Sequence, residues 1–181
     1  MRRRGEGRSE PAFKEWGRDR RIEISLLVMV TAVGAALRLW RLSEVPPGLF
    51  QDEAFNGLDA LRVLDGYHPL FFPSNAGREP LHIYLQALGI GMLGPTLAAL
   101  RAASAVVGIL TLPAMYWLGR ELFGAPSEWK GRAIGLIAAA AMATSYWHLS
   151  FSRLGFRGIL LIPDLFFTLH PSYFTLPTPD P

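Results

Sequence analysis

Between Ile24 and Leu37 the chain carries no charged side chain, and the apolar segment around it, Ile22–Leu42, is 21 residues long. At a helical rise of about 1.5 Å per residue it covers roughly 31 Å, the thickness of a bilayer core. It is therefore expected to cross a membrane. A cleaved signal peptide would share its basic flank and the small residues Gly34-Ala35-Ala36, but further apolar segments follow, which favours a span. Leu97–Leu118 is also long enough, interrupted only by Arg101 near its start and by Pro113, which predicts a kink. A third segment runs from Ala133 to about Phe151, and a fourth begins at Ile159 and meets Pro163-Asp164. Half of the residues are hydrophobic and the mean hydropathy is +0.23, too apolar for an ordinary soluble domain. The fold class expected is all-α, a multi-span helical membrane protein with about three to four transmembrane helices.

The charges give an orientation. Residues 1–21 hold eight Arg/Lys against four Asp/Glu, whereas residues 43–80 hold two Arg against six Asp/Glu. Basic flanks stay cytoplasmic, so 1–21 reads as a cytoplasmic, disordered basic tail and 43–80 as an external loop. The basic tail leads straight into an apolar span without aromatic interleaving, which speaks against nucleic-acid binding. The apolar run Leu81–Leu93 is too short to cross and is ended by Gly94-Pro95, so it is expected to lie along the interface. The loop from Arg120 to Arg132 then returns to the cytoplasm, where its basic residues belong. Ser104 and Gly108, spaced small-xxx-small, and the small residues of Leu136–Ala143 predict close helix packing. The absence of cysteine excludes disulfides and thiolate metal sites. His68, His82, His148 and His170 are scattered, so no metal or other cofactor is expected, although carboxylates at Asp52, Glu53 and Glu79 are ligands that a hard cation could use.

The chemistry-bearing stretch is Pro46-Pro47-Gly48-Leu49-Phe50-Gln51-Asp52-Glu53, directly after the first span. Two prolines and a glycine end the preceding helix. Phe55, Leu58, Leu61 and Leu64 then recur at helical spacing, and Asp65-Gly66 stops the new helix. Asp52 has two readings. It is the N-cap of this helix, with Glu53 favoured in the first turn, or it is a functional carboxylate at a membrane boundary. Arg78 and Glu79 close the same loop, and Arg101, Arg153 and Arg157 lie on the same expected side. A carboxylate can take a proton from an attacking hydroxyl, and arginines can neutralise a leaving phosphate. For each arginine singly, and for Arg38 and Arg41 at the outer end of the first span, headgroup anchoring is the competing reading.

These residues resemble the membrane glycosyltransferases of the GT-C class, and most closely the group of protein O-mannosyltransferases and lipid A aminoarabinose transferases. The resemblance rests on Leu37-Arg38-Leu39-Trp40-Arg41-Leu42 leading to Pro46-Pro47-Gly48, and on Asp52-Glu53-Ala54 in the first external loop. It continues through Gly77-Arg78-Glu79-Pro80-Leu81-His82-Ile83-Tyr84, Leu100-Arg101-Ala102-Ala103-Ser104-Ala105, Gly119-Arg120-Glu121-Leu122-Phe123-Gly124 and Ser152-Arg153. Glu79 departs from the family, which often has Pro or Lys there. The resemblance implies sugar transfer from a polyprenyl-phosphate donor to a protein, lipid or glycan acceptor hydroxyl on the non-cytoplasmic face. It further implies an inverting displacement with Asp52 as general base and Glu53 assisting or orienting. Arg101, Arg153 and Arg157 are then candidates for the donor phosphate, with Arg78, Glu79 and His82 as further site candidates, and 81–93 matches a juxtamembrane helix. Family members have many more spans, so residues 22–161 read as the N-terminal part of such a domain and 162–181 as a truncated or aberrant tail.

Two other classes compete: a non-catalytic membrane protein, such as a transporter or scaffold fragment, and an inactive truncated product. A transporter should carry ionisable groups near the centres of its spans, and here those centres are almost free of charge. The topology is directly testable, because the chain has no cysteine of its own. Ala125→Cys is expected to be protected from a membrane-impermeant thiol reagent in intact cells. Labelling from outside would invert the topology.

Overall fold

The computed structural model describes residues 11–74, 77–124 and 128–160. Among them are the helices α1 (Pro11–Leu39), α2 (Gln51–Leu64), α3 (Pro80–Leu93), α4 (Leu97–Phe123), α5 (Glu128–Thr144) and α6 (Tyr146–Arg153). A single 3-10 turn, Arg157–Leu160, follows. The described residues contain no strand, only an isolated antiparallel bridge between Phe72 and Arg78. Residues 1–10, the run beyond Leu160 and the expected tail 162–181 lie outside the described residues.

Two helices, α1 from Arg20 and α4, are long and apolar enough to cross a membrane. The expected disorder of residues 1–21 is corrected for 11–21, which continue α1. Pro11 suits a first helical turn, and the Lys, Glu and Arg residues after it are good helix formers. The third expected span is two helices, α5 and α6, bent by 58°. The bend has a local cause. Thr144 turns its hydroxyl back onto the carbonyls of Ala140 and Ala141, at 3.1 and 3.4 Å, and Ser145 leaves helical geometry. Helix α3 has 14 residues, about 21 Å of rise, and is too short to cross.

Helix α4 is central and packs against α1, α3, α5 and α6. Small residues bring the helices together. A Cβ on Gly119 would stand 2.8 Å from Gly135 Cα, and one on Gly135 would collide with the Tyr116 carbonyl. Gly108 lies against Ser152 of α6 in the same way. Helices α2 and α3 pair beside the first half of α4, over a small core that includes Val63, Phe72, Ile83, Ile90 and Leu100. Val28, Met29, Val33, Leu110 and Ile137 point outward on the long helices. Trp40, Tyr146 and Trp147 are exposed at one end of the bundle, and Trp117 and Trp129 at the other, as rings at two headgroup levels would be.

Arg38 neither snorkels nor meets an external ligand. It is fully buried, donating to Gly34 O at 2.8 Å, to Ala143 O and Met142 O at 3.2 Å each, and to His148 Nδ1 at 2.7 Å. The bend after Thr144 strips Met142 and Ala143 of helical partners, and Arg38 replaces them. An arginine only donates, so His148 Nδ1 accepts and Nε2 bears the proton. That proton goes to Thr111 Oγ1 at 2.9 Å, whose own hydroxyl donates to Gly108 O at 2.8 Å. Arg41 remains exposed and pairs with Glu44.

The Gly119–Gly135 crossing predicts an asymmetry between glycines. Gly135→Val is expected to force α4 and α5 apart and to destabilise by about 1–3 kcal/mol. Thermal unfolding of the detergent-solubilised chain should show it as about 2–4 °C for each kcal/mol. Gly91→Ala, whose new Cβ would meet only the end of Leu64 at 3.4 Å, should be neutral or stabilising.

Candidate functional site

The chain leaves α1, turns through Pro46-Pro47-Gly48 with Gly48 at φ +80, and enters α2. The residue preceding the first helical turn is Phe50, not Asp52. Glu53 reaches back and accepts the Phe50 N–H at 3.0 Å, so the expected N-cap role of Asp52 is corrected. Asp52 sits one residue before Glu53 in the first turn, where the helix dipole favours a carboxylate.

The two acidic neighbours have different fates. Glu53 is fully buried, and its two oxygens take four N–H donors. Oε1 accepts Arg101 Nε and Gly155 N, each at 2.8 Å, and Oε2 accepts Arg101 Nη2 and Phe50 N, each at 3.0 Å. Burial alone would raise this carboxyl's pKa, but the hydrogen bonds from Arg101, Gly155 and Phe50 together with the Arg101 charge hold it below its ordinary range. Arg101 is also fully buried. Its remaining donors go to Leu42 O at 3.1 Å, Pro46 O at 2.9 Å and Gly48 O at 2.8 Å, so every guanidinium N–H has an acceptor.

Arg153 does similar work next door. It donates to Leu37 O, to Trp40 O at 2.6 Å and to Val45 O at 2.9 Å. In this structure Arg101 and Arg153 are thus engaged by backbone carbonyls, and Arg101 by Glu53 as well, which leaves Asp52 as the partly exposed carboxylate of the adjacent pair. The last carbonyls of α1 and the irregular loop after it need donors where water is scarce, and these arginines supply them.

Helix α2 is turned opposite to its apolar pattern. Glu53, Asn56, Asp59, Ala60 and Val63 are buried, while Phe55, Leu58, Leu61 and Leu64 are exposed. Asn56 donates to Gly155 O at 2.8 Å, and Gln86 of α3 reaches the same carbonyl at 3.2 Å. A Cβ at Gly155 would stand 2.8 Å from Gln86 Nε2, so the Gln86 amide would have to shift. Asn56, Gln86 and Gly155 are site residues that sequence reasoning missed. The signal was present as polar residues three apart, Glu53, Asn56 and Asp59, on the face opposite the leucines.

Asp52 lines a cavity of about 130 Å³ together with Asn56, Arg78, Phe156 and Arg157. Arg78 Nη2 donates to Asp52 Oδ1 at 3.2 Å, and Nη1 to Asp52 O at 3.1 Å. The Phe72–Arg78 bridge holds Arg78 in place, and its side chain is almost wholly covered. Burial lowers the pKa of Arg78 from its usual value. Arg157, half exposed, pairs with the exposed Glu79 at 2.6 Å. That contact, after a hydrogen bond to Glu79's own backbone, holds the Glu79 carboxyl below its ordinary range. Asn56 Oδ1 is buried and has no hydrogen-bond partner among the described residues. Phe156, stacked on Phe151 at 5.6 Å, forms the apolar wall.

Of the expected site residues, the cavity thus unites Asp52, Arg78 and Arg157, with Glu79 at its edge. His82 lies in the interior, with Nε2 2.9 Å from Ser104 Oγ and Nδ1 without a partner among the described residues. Burial, then the Arg78 and Arg157 charges, lower its pKa to about 4, so it is neutral at pH 7. Among the described residues no group of three or more His, Asp or Glu could hold a metal ion.

The fold and site define an all-helical protein with two helices able to cross a membrane, or three if the bent α5–α6 pair counts as one. No protein-family model, curated protein or solved structure matches the chain.

Glu53→Gln is expected to leave the Arg101 charge buried without its counter-ion and to destabilise by about 3–5 kcal/mol. Thermal unfolding measures it, and Asp52→Asn, at a partly exposed position, should cost far less. Glu53 titrates below its ordinary 4.5 when folded. Its contribution is therefore complete above about pH 4.5 and is lost as pH falls through the lower folded value. A pH series on wild type and Glu53→Gln should converge in stability at the acid end.

Proposed function

We propose that this chain carries the catalytic loop of a GT-C-type membrane glycosyltransferase. It transfers a sugar from a polyprenyl-phosphate-linked donor to an acceptor hydroxyl, on the membrane face opposite its basic N-terminal segment. The observation that carries the reading is the cavity in which a partly exposed carboxylate, Asp52, stands beside two guanidiniums, Arg78 and Arg157. In the proposed reaction the acceptor oxygen attacks the anomeric carbon as the bond from that carbon to the phosphate oxygen breaks. The acceptor proton passes to Asp52, and the lipid phosphate leaves with the bonding electron pair. One displacement with one base inverts the anomeric centre and needs no covalent intermediate. Arg78 and Arg157 offset the negative charge on the departing phosphate, the role expected from the sequence for Arg101, Arg153 and Arg157. Glu53 is a positioning residue, since it fixes the start of α2 and so the place of Asp52. The protein resides in the cell membrane as a multi-pass protein in this reading, with membrane lipids around it.

One observation favours a second reading. The 3.2 Å Arg78–Asp52 pair also suffices to lock α2 to the loop before α3 in a non-catalytic membrane protein. Substitution separates the two. A membrane fraction containing the chain, supplied with radiolabelled polyprenyl-phosphate sugars, is expected to transfer label. Asp52→Asn should lower turnover by about 10²–10⁴-fold while leaving the unfolding temperature within a few degrees. Retained transfer in Asp52→Asn would remove the base assignment. Absence of transfer by the wild-type chain would favour the lock.

A further inference from the structure

Asn56 stands four residues after Asp52 on α2, on the same face of the helix, and both line the cavity of about 130 Å³. Asn56 is only 2% exposed. Its Nδ2 donates to Gly155 O at 2.8 Å. A carbonyl only accepts, so this bond fixes the orientation of the amide and leaves Oδ1 as its other end. Oδ1 is buried and has no hydrogen-bond partner among the described residues. A buried acceptor without a donor is costly, and native structures keep few. The donor is therefore expected from an occupant of the cavity.

The other lining groups narrow the chemistry of that occupant. Arg78 and Arg157 offer N–H donors to anionic oxygens. An anionic oxygen would meet these guanidiniums but brings no donor for Oδ1, and a metal cation would face two positive charges. Phe156 supplies an apolar wall, stacked on Phe151 at 5.6 Å. The face of an aromatic ring is negative and attracts the C–H groups of a sugar ring. A pyranose presents both things at once, an apolar C–H face and a rim of hydroxyl donors.

We propose that Asn56 is a specificity-determining residue, whose Oδ1 accepts a hydrogen bond from a ring hydroxyl of a pyranose lying on Phe156, with the anomeric phosphate at Arg78 and Arg157. The place of the phosphate rests on the glycosyltransferase reading, and the hydroxyl contact rests on the Asn56 amide. Asn56 makes and breaks no covalent bond. It selects the sugar. A sugar without a donor at the contacted carbon leaves Oδ1 unpaired, and a site built around such a hydrogen bond rejects that analogue strongly.

The test is binding to the purified full chain, and it needs no transfer. Glucose, mannose, galactose and xylose 1-phosphates, each as both anomers, are titrated alongside inorganic phosphate and followed by thermal unfolding. At least one sugar phosphate is expected to raise the unfolding temperature saturably, with an affinity about tenfold above that of inorganic phosphate. Its deoxyfluoro analogues replace one ring hydroxyl at a time by fluorine, which does not donate. One of them is expected to bind about tenfold more weakly, the loss of one hydrogen bond. Asn56→Ala should fold, because Gln86 Nε2 still reaches Gly155 O at 3.2 Å, and it should bind that analogue and the parent sugar equally. Asn56→Leu, of similar volume and also without an acceptor, is the second variant and should behave alike. Sugar phosphates bound no better than inorganic phosphate would overturn the proposal. So would wild-type affinity for every deoxyfluoro analogue, a result that needs no variant, or discrimination that persists without the Asn56 amide. Absence of label transfer, by contrast, would remove the glycosyltransferase reading and leave the sugar contact standing.

Discussion

The Glu53–Arg101 pair is the contact on which the loop side of this molecule depends. Both side chains are fully buried, and between them they hold the end of α1, the Pro46–Gly48 turn, the start of α2 and the Gly155 corner. A buried ion pair adds little net stability, because desolvation offsets most of the attraction. Its value lies in direction. Two planar groups facing each other with all their hydrogen-bonding capacity used permit one arrangement of the four segments, and any other strands a charge. Asp52 takes its place from that arrangement. It is the neighbour left over on the helix after Glu53 has turned inward.

Arginine serves the same purpose three times. Arg38, Arg101 and Arg153 each end among backbone carbonyls rather than carboxylates alone. Apart from Gly34 O within Arg38's own helix, these carbonyls belong to interruptions: the bend after Thr144, the last turn of α1 or the loop before α2. A helix within a bilayer satisfies itself, and a broken one does not. A guanidinium carries several donors in a fixed fork and remains charged, so it can bridge carbonyls from two segments at once. The arginines near the boundary are thereby consumed by the fold, and Arg78 and Arg157 are the ones that line the Asp52 cavity.

The reversed orientation of α2 follows from the same setting. In water the stripe of Phe55, Leu58, Leu61 and Leu64 would be the buried face. Beside a bilayer the outside is apolar too, and the polar side must find partners inward. Asn56 and Gln86 do so at Gly155, and the exposed leucines are left for the membrane interface. The two ends of the bundle differ accordingly. One carries an irregular loop and a small polar cavity, and the other carries a cavity lined by α1, α4 and α5.

The sequence by itself determined the helices. Apolar length marked the membrane-crossing parts of α1 and α4, Gly94-Pro95 separated α3 from α4, and thirteen apolar residues before Gly94 were too few for α3 to cross. Those are local properties, readable from composition and spacing. It also marked the 43–80 segment that holds Asp52 and Arg78, and it put Arg157 on the same side. The tertiary structure alone decided which of the adjacent carboxylates is buried and which arginines are spent on carbonyls. Asp52 and Glu53 have the same local chemistry, and about 100° of helical rotation between them sends one to Arg101 and the other to the cavity. Arg101 and Arg153 look like ligand-binding residues in one dimension, because a sequence does not show which backbone groups lack partners. The bend after Thr144 belongs to the same class: a serine and a threonine in an apolar run permit it, but the Arg38 that sustains it arrives from a different helix.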